Sequence, residues 1–425
     1  MRNRTAVIGA GVAGLSSAVE LLQAGHQVVL IEQTRSCGGR ARSFCWSEAG
    51  CHVDTGPHLM MGCYQNFRWL LNAAGTTLPL QKRFTVELLG RHGEKIVFAG
   101  ATKRPELALL RAQGLGILDK WGLIRGLMKA SHLQNTTYVE EWLSALHQPP
   151  LARHAFWDPF VTAVLNQSPA TGLSRQLITV LHHAFLDSDA DPRLSISDRC
   201  LDELYVQPVV DLIRRLGCEV ILGDGVVSLE DNAHGLIRAA ITRHGHHIEA
   251  ESYIIAVPPD ALQQLLPASF IPCFRPSPIV SVHALLADAP FFPPGTFMGL
   301  LDSPFHWVFS RSVGNRCLLS LLTSHAQKLA GLSPDEITSA ARDTLSTFFP
   351  GFHPHNILSI ISIKERKATY QLTSPGQPFE IAGMPDNAFI AGDWIEPNYP
   401  CTIESAALSG RRAAMAVIKH GSDNH

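Results

Sequence analysis

The chain has 425 residues, a formal net charge of −2, 46% hydrophobic residues and only 17% charged ones. That length can bury a large core and is enough for two domains, and the charge balance excludes the basic footprint of a nucleic-acid binder. Nine cysteines without C-x-x-C spacing point to a reduced thiol pool, and no uncharged run reaches the about 18 residues a spanning helix needs.

Chain order begins with a dinucleotide-binding pattern. Thr5-Ala6-Val7-Ile8 is a short apolar run biased to β-branched residues, and Gly9-Ala10-Gly11-Val12-Ala13-Gly14 follows at once. Residues 15–24 carry Leu15, Val19 and Leu22 at helical spacing. Gly25 ends that helix, and Gln27-Val28-Val29-Leu30-Ile31 reads as a second strand closed by Glu32. In such a βαβ unit Gly9 permits the tight turn, Gly11 lets a pyrophosphate approach the backbone, and Gly14 lets the helix lie close to the strand. The helix N-terminus offers N–H groups and positive partial charge to phosphates. Glu32, 18 residues after Gly14, is placed to accept hydrogen bonds from a ribose diol.

Cys37-Gly38-Gly39-Arg40 comes next. The glycine pair allows close backbone approach, and Arg40 can neutralise a pyrophosphate or hold the chain beside a ribityl group. In Val53-Asp54-Thr55-Gly56-Pro57-His58, Asp54 reads as a loop-fixing side chain that takes backbone N–H groups. Residues 115–130 set Leu118, Trp121, Ile124, Leu127 and Met128 beside Lys120, Arg125 and Lys129. This is a basic amphipathic helix, able to lie on a bilayer or to turn its apolar side to a core. His182-His183 read as packing, since neighbours on a helix point in different directions.

Residues 218–222 and 225–229 alternate like strands, and 236–242 with 248–253 read as a hairpin leading into Ile254. The hairpin turn holds His244-x-His246-His247 with no nearby acid or Cys partner, so no metal is expected. Tyr253-Ile254-Ile255-Ala256-Val257-Pro258-Pro259 is a buried-type strand ended by prolines. Strands are also expected at 278–286 and 317–322, after proline-rich joints at Pro272, Pro276 and Pro278. Phe389-Ile390-Ala391-Gly392-Asp393-Trp394 ends a strand in Gly-Asp, and Thr402-Ile403-Glu404-Ser405-Ala406 opens a helix running through Ala414. These features favour FAD held as a prosthetic group over a diffusing nicotinamide. Asp393 can hydrogen-bond a ribityl hydroxyl. The N–H groups of Thr402 and Ile403 can point at the flavin pyrimidine edge, where a helix dipole stabilises the charge of the reduced ring. Glu404 reads as a cap suited to the same dipole.

These residues carry a resemblance. Gly9, Gly11, Gly14, Glu32, Gly38-Gly39-Arg40, Asp54-x-Gly56, Ala256-Val257-Pro258-Pro259 and Ala391-Gly392-Asp393 are similar to the flavin amine oxidase and phytoene desaturase group. Within it, His58-Leu59-Met60-Met61-Gly62-Cys63-Tyr64, Leu165-Asn166 and Tyr399-Pro400-Cys401-Thr402-Ile403-Glu404-Ser405-Ala406 resemble one branch. That branch is the squalene-associated FAD-dependent desaturases, also called hydroxysqualene dehydroxylases. Pro57 departs from the Gln of that branch, toward the desaturase pattern.

The resemblance spans nearly the whole chain and implies an α/β fold. A Rossmann-like FAD-binding domain would comprise 1–82, 196–275 and 376–425, and an inserted α+β substrate-binding domain 83–195 and 276–375. It places Val226 beside the adenine and Gly39, Arg40 and Gly56 along the cofactor, and the segment after Gly56 passes the isoalloxazine ring. His58 is then the expected general acid, since an imidazole titrates at about 6.5, with flavin positioning as the alternative. Trp394 and Tyr399 are expected in the flavin pocket or an aromatic core, and Tyr64 in packing or in support of His58. The implied reaction is reductive removal of the allylic hydroxyl of hydroxysqualene, giving squalene for hopanoid synthesis. A carotenoid-type desaturase and an amine oxidase are the rival expectations. The implied substrate is a hydrophobic polyprenoid. NAD(P)H or a flavin reductase is an expected electron donor; with no second nucleotide motif, NAD(P)H would bind weakly or act through a partner. The implied setting is cytoplasmic, and a lipid substrate would suit a peripheral contact of residues 115–130 with the inner face of the cytoplasmic membrane, with a core-facing helix as the alternative.

Overall fold

The computed structural model describes residues 4–82, 84–100, 105–130, 138–232, 235–267, 269, 271–288, 291–372 and 381–423; the expected domain edges at 83 and 376 lie outside the described residues. Two sheets organise the molecule. The first has five parallel strands in the order Ala388–Ile390, Ser252–Ile255, Arg4–Ile8, Gln27–Glu32 and Glu219–Leu222. Covered on both faces, its central strands are near-continuous apolar runs, as a parallel sheet requires. Side chains alternate across it. Val7, Val28 and Leu30 pack under the helices Val12–Gln23 and Ile403–Asp423. Ala6, Ile8, Val29 and Ile31 pack against an antiparallel sheet of Val226–Asp231, Ile237–Thr242 and His247–Glu249. The first and last helices lie in contact, with Ser17 Oγ donating to Gly410 O at 2.8 Å and Arg411 Nε 2.9 Å from Glu20 Oε2. This unit is Rossmann-like, so the fold is α/β as expected.

The second sheet has seven strands, Ile357–Leu372, Phe274–Leu286, Arg316–Thr323, Trp307–Val313, Phe297–Leu300, Phe84–Leu89 and Lys95–Gly100, in that order. All neighbours are antiparallel except Phe297–Leu300 and Phe84–Leu89. On one face Val280, Val282 and Ala284 pack on the helix Pro334–Phe348. On the other, Ser281 and His283 reach the loop after Cys51–Asp54. A helical layer of Ile117–Lys129, Val139–Ala145, Asp158–Leu165 and Ser174–Leu181 packs on Phe297, Trp307 and Phe309 of the same sheet. This second unit is α+β.

Several elements differ from expectation. The first helix starts at Val12, not residue 15, because extended Gly11 already occupies its N-cap. Residues 248–253 do not form one hairpin arm. The antiparallel strand ends at Glu249, and Ser252–Ile255 joins the parallel sheet beside Arg4–Ile8. Pro276 and Pro278 are not joints but lie inside Phe274–Leu286, across a register irregularity between Ser277 and Ile279. Pairing with Arg316–Thr323 begins only at Val280, so the prolines sit where one side of the strand needs no N–H. His182 and His183 do not diverge: on the π-turn His182–Leu186 both reach Asp187 at 3.1 Å. His244 and His246 do have an acid, Asp224, at 3.3 and 2.9 Å. No group of three or more metal-ligating side chains forms among the described residues.

Candidate active site

The carboxyl ends of the parallel strands open on a cavity of about 770 Å³ that continues into the second unit. Gly9 has φ +102°, and a Cβ there would come within 2.4 Å of Ala256 O, so the turn admits only glycine. A Cβ on Gly14 would meet Gly9 O at 1.9 Å, which locks the helix against the turn. Gly11 heads that helix, and the Gly38-Gly39 turn lies against it. Gly38 N donates to Ala10 O at 2.8 Å, and a Cβ on Gly39 would lie 3.0 Å from Gly11 Cα. Bare backbone and a helix N-terminus therefore line the cavity side by side, the surface a pyrophosphate fits. Tyr205, absent from the sequence expectations, is buried and donates to Gly38 O at 3.2 Å and to Ala41 O, which pins this second turn.

Glu32 is 7% exposed. Its Oε2 accepts Ala10 N at 2.8 Å, and its Oε1 accepts Thr34 N and Thr34 Oγ1 at 2.9 Å each. The carboxylate expected at a ribose is thus also the buckle of the glycine turn. Val226, Gly225 and Arg243 close this end. They are fixed by Gly223 N donating to Thr34 O at 2.8 Å and Arg243 N to Gly225 O at 2.9 Å. The Arg243 cation in the lining was not singled out in the sequence, because its place depends on a hairpin turn.

Further along, Arg40 Nη2 lies 2.5 Å from Asp393 Oδ1, and Nη1 donates to Ala368 O at 2.7 Å. Its guanidinium also stands 5.5 Å from the Tyr370 ring centre. Burial works against the Arg40 charge, but the Asp393 carboxylate outweighs it and raises the pKa above the ordinary arginine value. Cys401, Thr402, Ile403 and Trp394 line this end with the start of the last helix. One expectation is corrected here: the Thr402 N–H donates to Ser405 Oγ at 2.9 Å and is committed within the cap. A second correction concerns Glu404. Its carboxylate accepts Asn66 N at 3.0 Å, Asn66 Nδ2 at 2.8 Å and Phe67 N at 2.9 Å, so it caps the helix Gln65–Ala73 rather than its own. Trp394 lines the cavity; Tyr399 bonds His183 Nε2 at 3.0 Å.

The segment bearing His58 is stapled to the seven-stranded sheet. Ser281 Oγ donates to Thr55 O at 2.9 Å, and His283 Nε2 donates to Asp54 O at 3.0 Å. As expected, Asp54 fixes the loop, accepting Leu201 N at 2.9 Å and Ser43 Oγ at 2.7 Å. His58 lines the cavity. Its Nδ1 faces Gly56 O at 2.7 Å; a carbonyl only accepts, so Nδ1 carries the hydrogen and Nε2 of the neutral ring keeps its lone pair. Burial lowers the His58 pKa, against the opposing pull of Asp54 and the Gly56 carbonyl. At neutral pH the ring is therefore mainly neutral, which corrects the expectation of an unperturbed imidazole.

The lining also includes a group of apolar side chains, alongside the polar Asn166, Ser324 and Thr369. Leu59, Val164, Ile279, Trp307, Phe309 and Leu322 supply the wall, and Gly56 faces Leu322 Cδ1 at an ordinary 3.5 Å from where its Cβ would stand. Tyr64 also lines it, and burial pushes its hydroxyl well above the usual range. Asn166 ends the helix Asp158–Leu165 in the left-handed conformation, φ +53°. Its Nδ2 donates to Ser277 O at 3.1 Å and to Thr369 Oγ1 at 2.9 Å, and its Oδ1 accepts His325 N at 2.5 Å. The resemblance flagged Asn166 without a role, since all three partners are remote in sequence.

Comparison with known proteins agrees with this geometry. The family described as flavin containing amine oxidoreductase matches residues 12–418. A hydroxysqualene dehydroxylase of Zymomonas mobilis is 25% identical over 442 residues, covering 98% of this chain and 99% of the relative. The chloroplastic/chromoplastic 15-cis-phytoene desaturase of Arabidopsis thaliana is 25% identical over 478 residues, covering 98% of this chain and 80% of the relative. Among solved structures, a putrescine oxidase double mutant superposes with a TM-score of 0.72 at 17% identity, covering 99% of both chains; at that identity the likeness is one of fold.

Proposed function

The chain belongs to the flavin containing amine oxidoreductase family and is an FAD-dependent oxidoreductase, and on that premise we propose that it removes the allylic hydroxyl of hydroxysqualene reductively, giving squalene. The observation that carries this reading is one continuous cavity, glycine-floored at one end and walled by apolar side chains at the other, with His58 in its lining. The cradle fits FAD. Glu32 and Val226 would hold the adenosine, and Gly9, Gly11 and Gly39 the pyrophosphate. Arg40 and Asp393 would hold the ribityl chain, and Ile403 the pyrimidine edge at the head of the last helix. Bound FAD supplies the redox step, giving a hydride in a dehydroxylation. The electrons come to it from NAD(P)H or a flavin reductase.

The chain's own work is to orient the polyprenoid, keep water from the allylic centre and supply a proton. Hydroxide is a poor leaving group. Protonated His58 Nε2 gives its proton to the departing oxygen, the C–O bond breaks, a C–H bond forms and water leaves. Since burial lowers the His58 pKa, only a minor protonated fraction is present at neutral pH, and the rate rises as pH falls.

A second reading, a carotenoid-type desaturase, is favoured by the same ring. Neutral His58 presents a lone pair at Nε2, which suits a base that removes a proton from carbon. Anaerobically reduced holoprotein mixed with hydroxysqualene should yield squalene. Oxidised holoprotein that dehydrogenates a phytoene-type polyene, while the reduced form ignores hydroxysqualene, would replace the first reading with the second.

A further inference from the structure

The helix Ile117–Lys129 divides its apolar residues between two sides. Leu123, Ile124 and Leu127 are buried, whereas Ile117 is 63% exposed, Leu118 77%, Trp121 58% and Met128 68%. The apolar stripe expected at 115–130 is thus split: Ile124 and Leu127 serve the core, and Leu118, Trp121 and Met128 face outward. Leu118, Trp121, Arg125 and Met128 share one face by helical spacing, and Arg111 and Lys129 are exposed beside it. Arg125 is held in place by Leu146 O and by His147 O at 3.2 Å. The acid of this helix, Asp119, is tied back to Gly116 N at 3.1 Å. Leu110 and Leu151, on helices packed beside it, are also exposed.

The inner side of the helix packs on buried aromatic side chains. Gly126 presses on Trp157, whose Cζ2 would lie 2.8 Å from a Cβ at that position. Trp157 meets Phe156 edge-on at 5.0 Å, and Phe156 stacks on Phe160 at 5.6 Å. Phe160 lies one turn before Val164, which lines the cavity. An aromatic row therefore connects the underside of this helix to the apolar wall.

We propose that the outer face of Ile117–Lys129 is a docking surface for an anionic lipid bilayer. A Trp among aliphatic side chains, interleaved with three exposed cations, is complementary to a negatively charged lipid interface: rings and aliphatics enter the acyl boundary while Arg111, Arg125 and Lys129 meet headgroups. The use of this face for a lipid substrate rests on the polyprenoid reading, but docking itself is measured without turnover. The FAD-loaded full chain is sedimented with phosphatidylcholine vesicles with and without phosphatidylglycerol. Binding should be about tenfold stronger with the anionic lipid and weaken as salt shortens the screening length. Trp121→Glu with Met128→Glu should lower the bound fraction about tenfold or more. Bound-flavin absorbance and melting temperature should not change, because both side chains are exposed. Arg125→Gln with Lys129→Gln should abolish most of the preference for phosphatidylglycerol. Wild-type protein that ignores both vesicles, or Trp121→Glu/Met128→Glu protein that binds as well as wild type, overturns the proposal. So does wild-type self-association that the same variant abolishes without any vesicle binding, since the face would then be covered by a second copy. Vesicle binding without turnover of any polyprenoid supports the docking surface and removes the proposed reaction instead.

Discussion

His58, in the loop after Cys51–Asp54, and His283, in the strand Phe274–Leu286, differ in what their rings can do. His283 uses both nitrogens, donating from Nε2 to Asp54 O and accepting from Ser320 Oγ at 2.7 Å. Burial pushes its pKa down to about 4, with the Asp54 carbonyl opposing. It is a staple. His58 commits only Nδ1, which leaves Nε2 for chemistry. If His58 is the proton donor, turnover of reduced enzyme should rise as pH falls below 7 and level off below its lowered pKa. His58→Gln should remove that limb and cost about 100-fold or more in rate. A profile that falls toward acid would make it a base. Stability carries a separate signal. His283 and His306 are both pushed down by burial to about 4, so the folded state binds fewer protons than the unfolded one between about 6.5 and 4. Their neutral forms stabilise the fold above about 6.5, and that contribution is lost as pH falls, by up to about 1.4 kcal/mol per pH unit for each group. Melting temperatures measured from pH 7 to pH 5 should therefore decline, and a flat series would contradict the burial of these rings. The place of Glu32 at the end of its strand was legible in the sequence because the βαβ unit that holds it is local. Tyr205 and Asn166 were not, since their meaning depends on backbone brought from distant strands.

At the scale of elements, local periodicity and glycine placement were sufficient for the opening βαβ unit, where turn, helix and strand explain one another. They failed where one element completes another. The helix Gln65–Ala73 has no side-chain cap of its own; its N–H groups at Asn66 and Phe67 are met by Glu404 from the far end of the chain. Residue type and helix-start position at Glu404 suggested a self-cap, and nothing local could redirect it. Burial raises the Glu404 pKa, although hydrogen bonds from Asn66 and Phe67 pull it down. Glu404→Gln keeps the shape and removes the charge opposite two helical N–H donors. It should lower stability by about 1–2 kcal/mol, read as a shift in the urea midpoint with an unchanged slope. No shift would mean that the cap contributes nothing. The histidine pair at 182–183 failed for a related reason: α-helical spacing separates the rings, whereas the observed π-turn brings both to Asp187.

For the whole molecule, the sequence motifs trace one end of the cavity and barely touch the other. Glycines, Glu32, Arg40 and Asp393 announce a nucleotide cradle because phosphate and ribose recognition needs special backbone and fixed charges. The apolar wall has no such grammar. Ile279, Trp307, Phe309 and Leu322 look like any core residues until two sheets and a helical layer close around them. Asn166 joins these parts, tying the helix Asp158–Leu165 to residues 277, 325 and 369. What the assembled cavity does is tested most directly by a single-turnover experiment. Holoprotein is reduced without oxygen and given a limiting amount of hydroxysqualene while the oxidised-flavin absorbance and the products are followed together. The yellow band is expected to return in one-to-one proportion to squalene formed. Flavin that stays reduced while hydroxysqualene is recovered unchanged would contradict it.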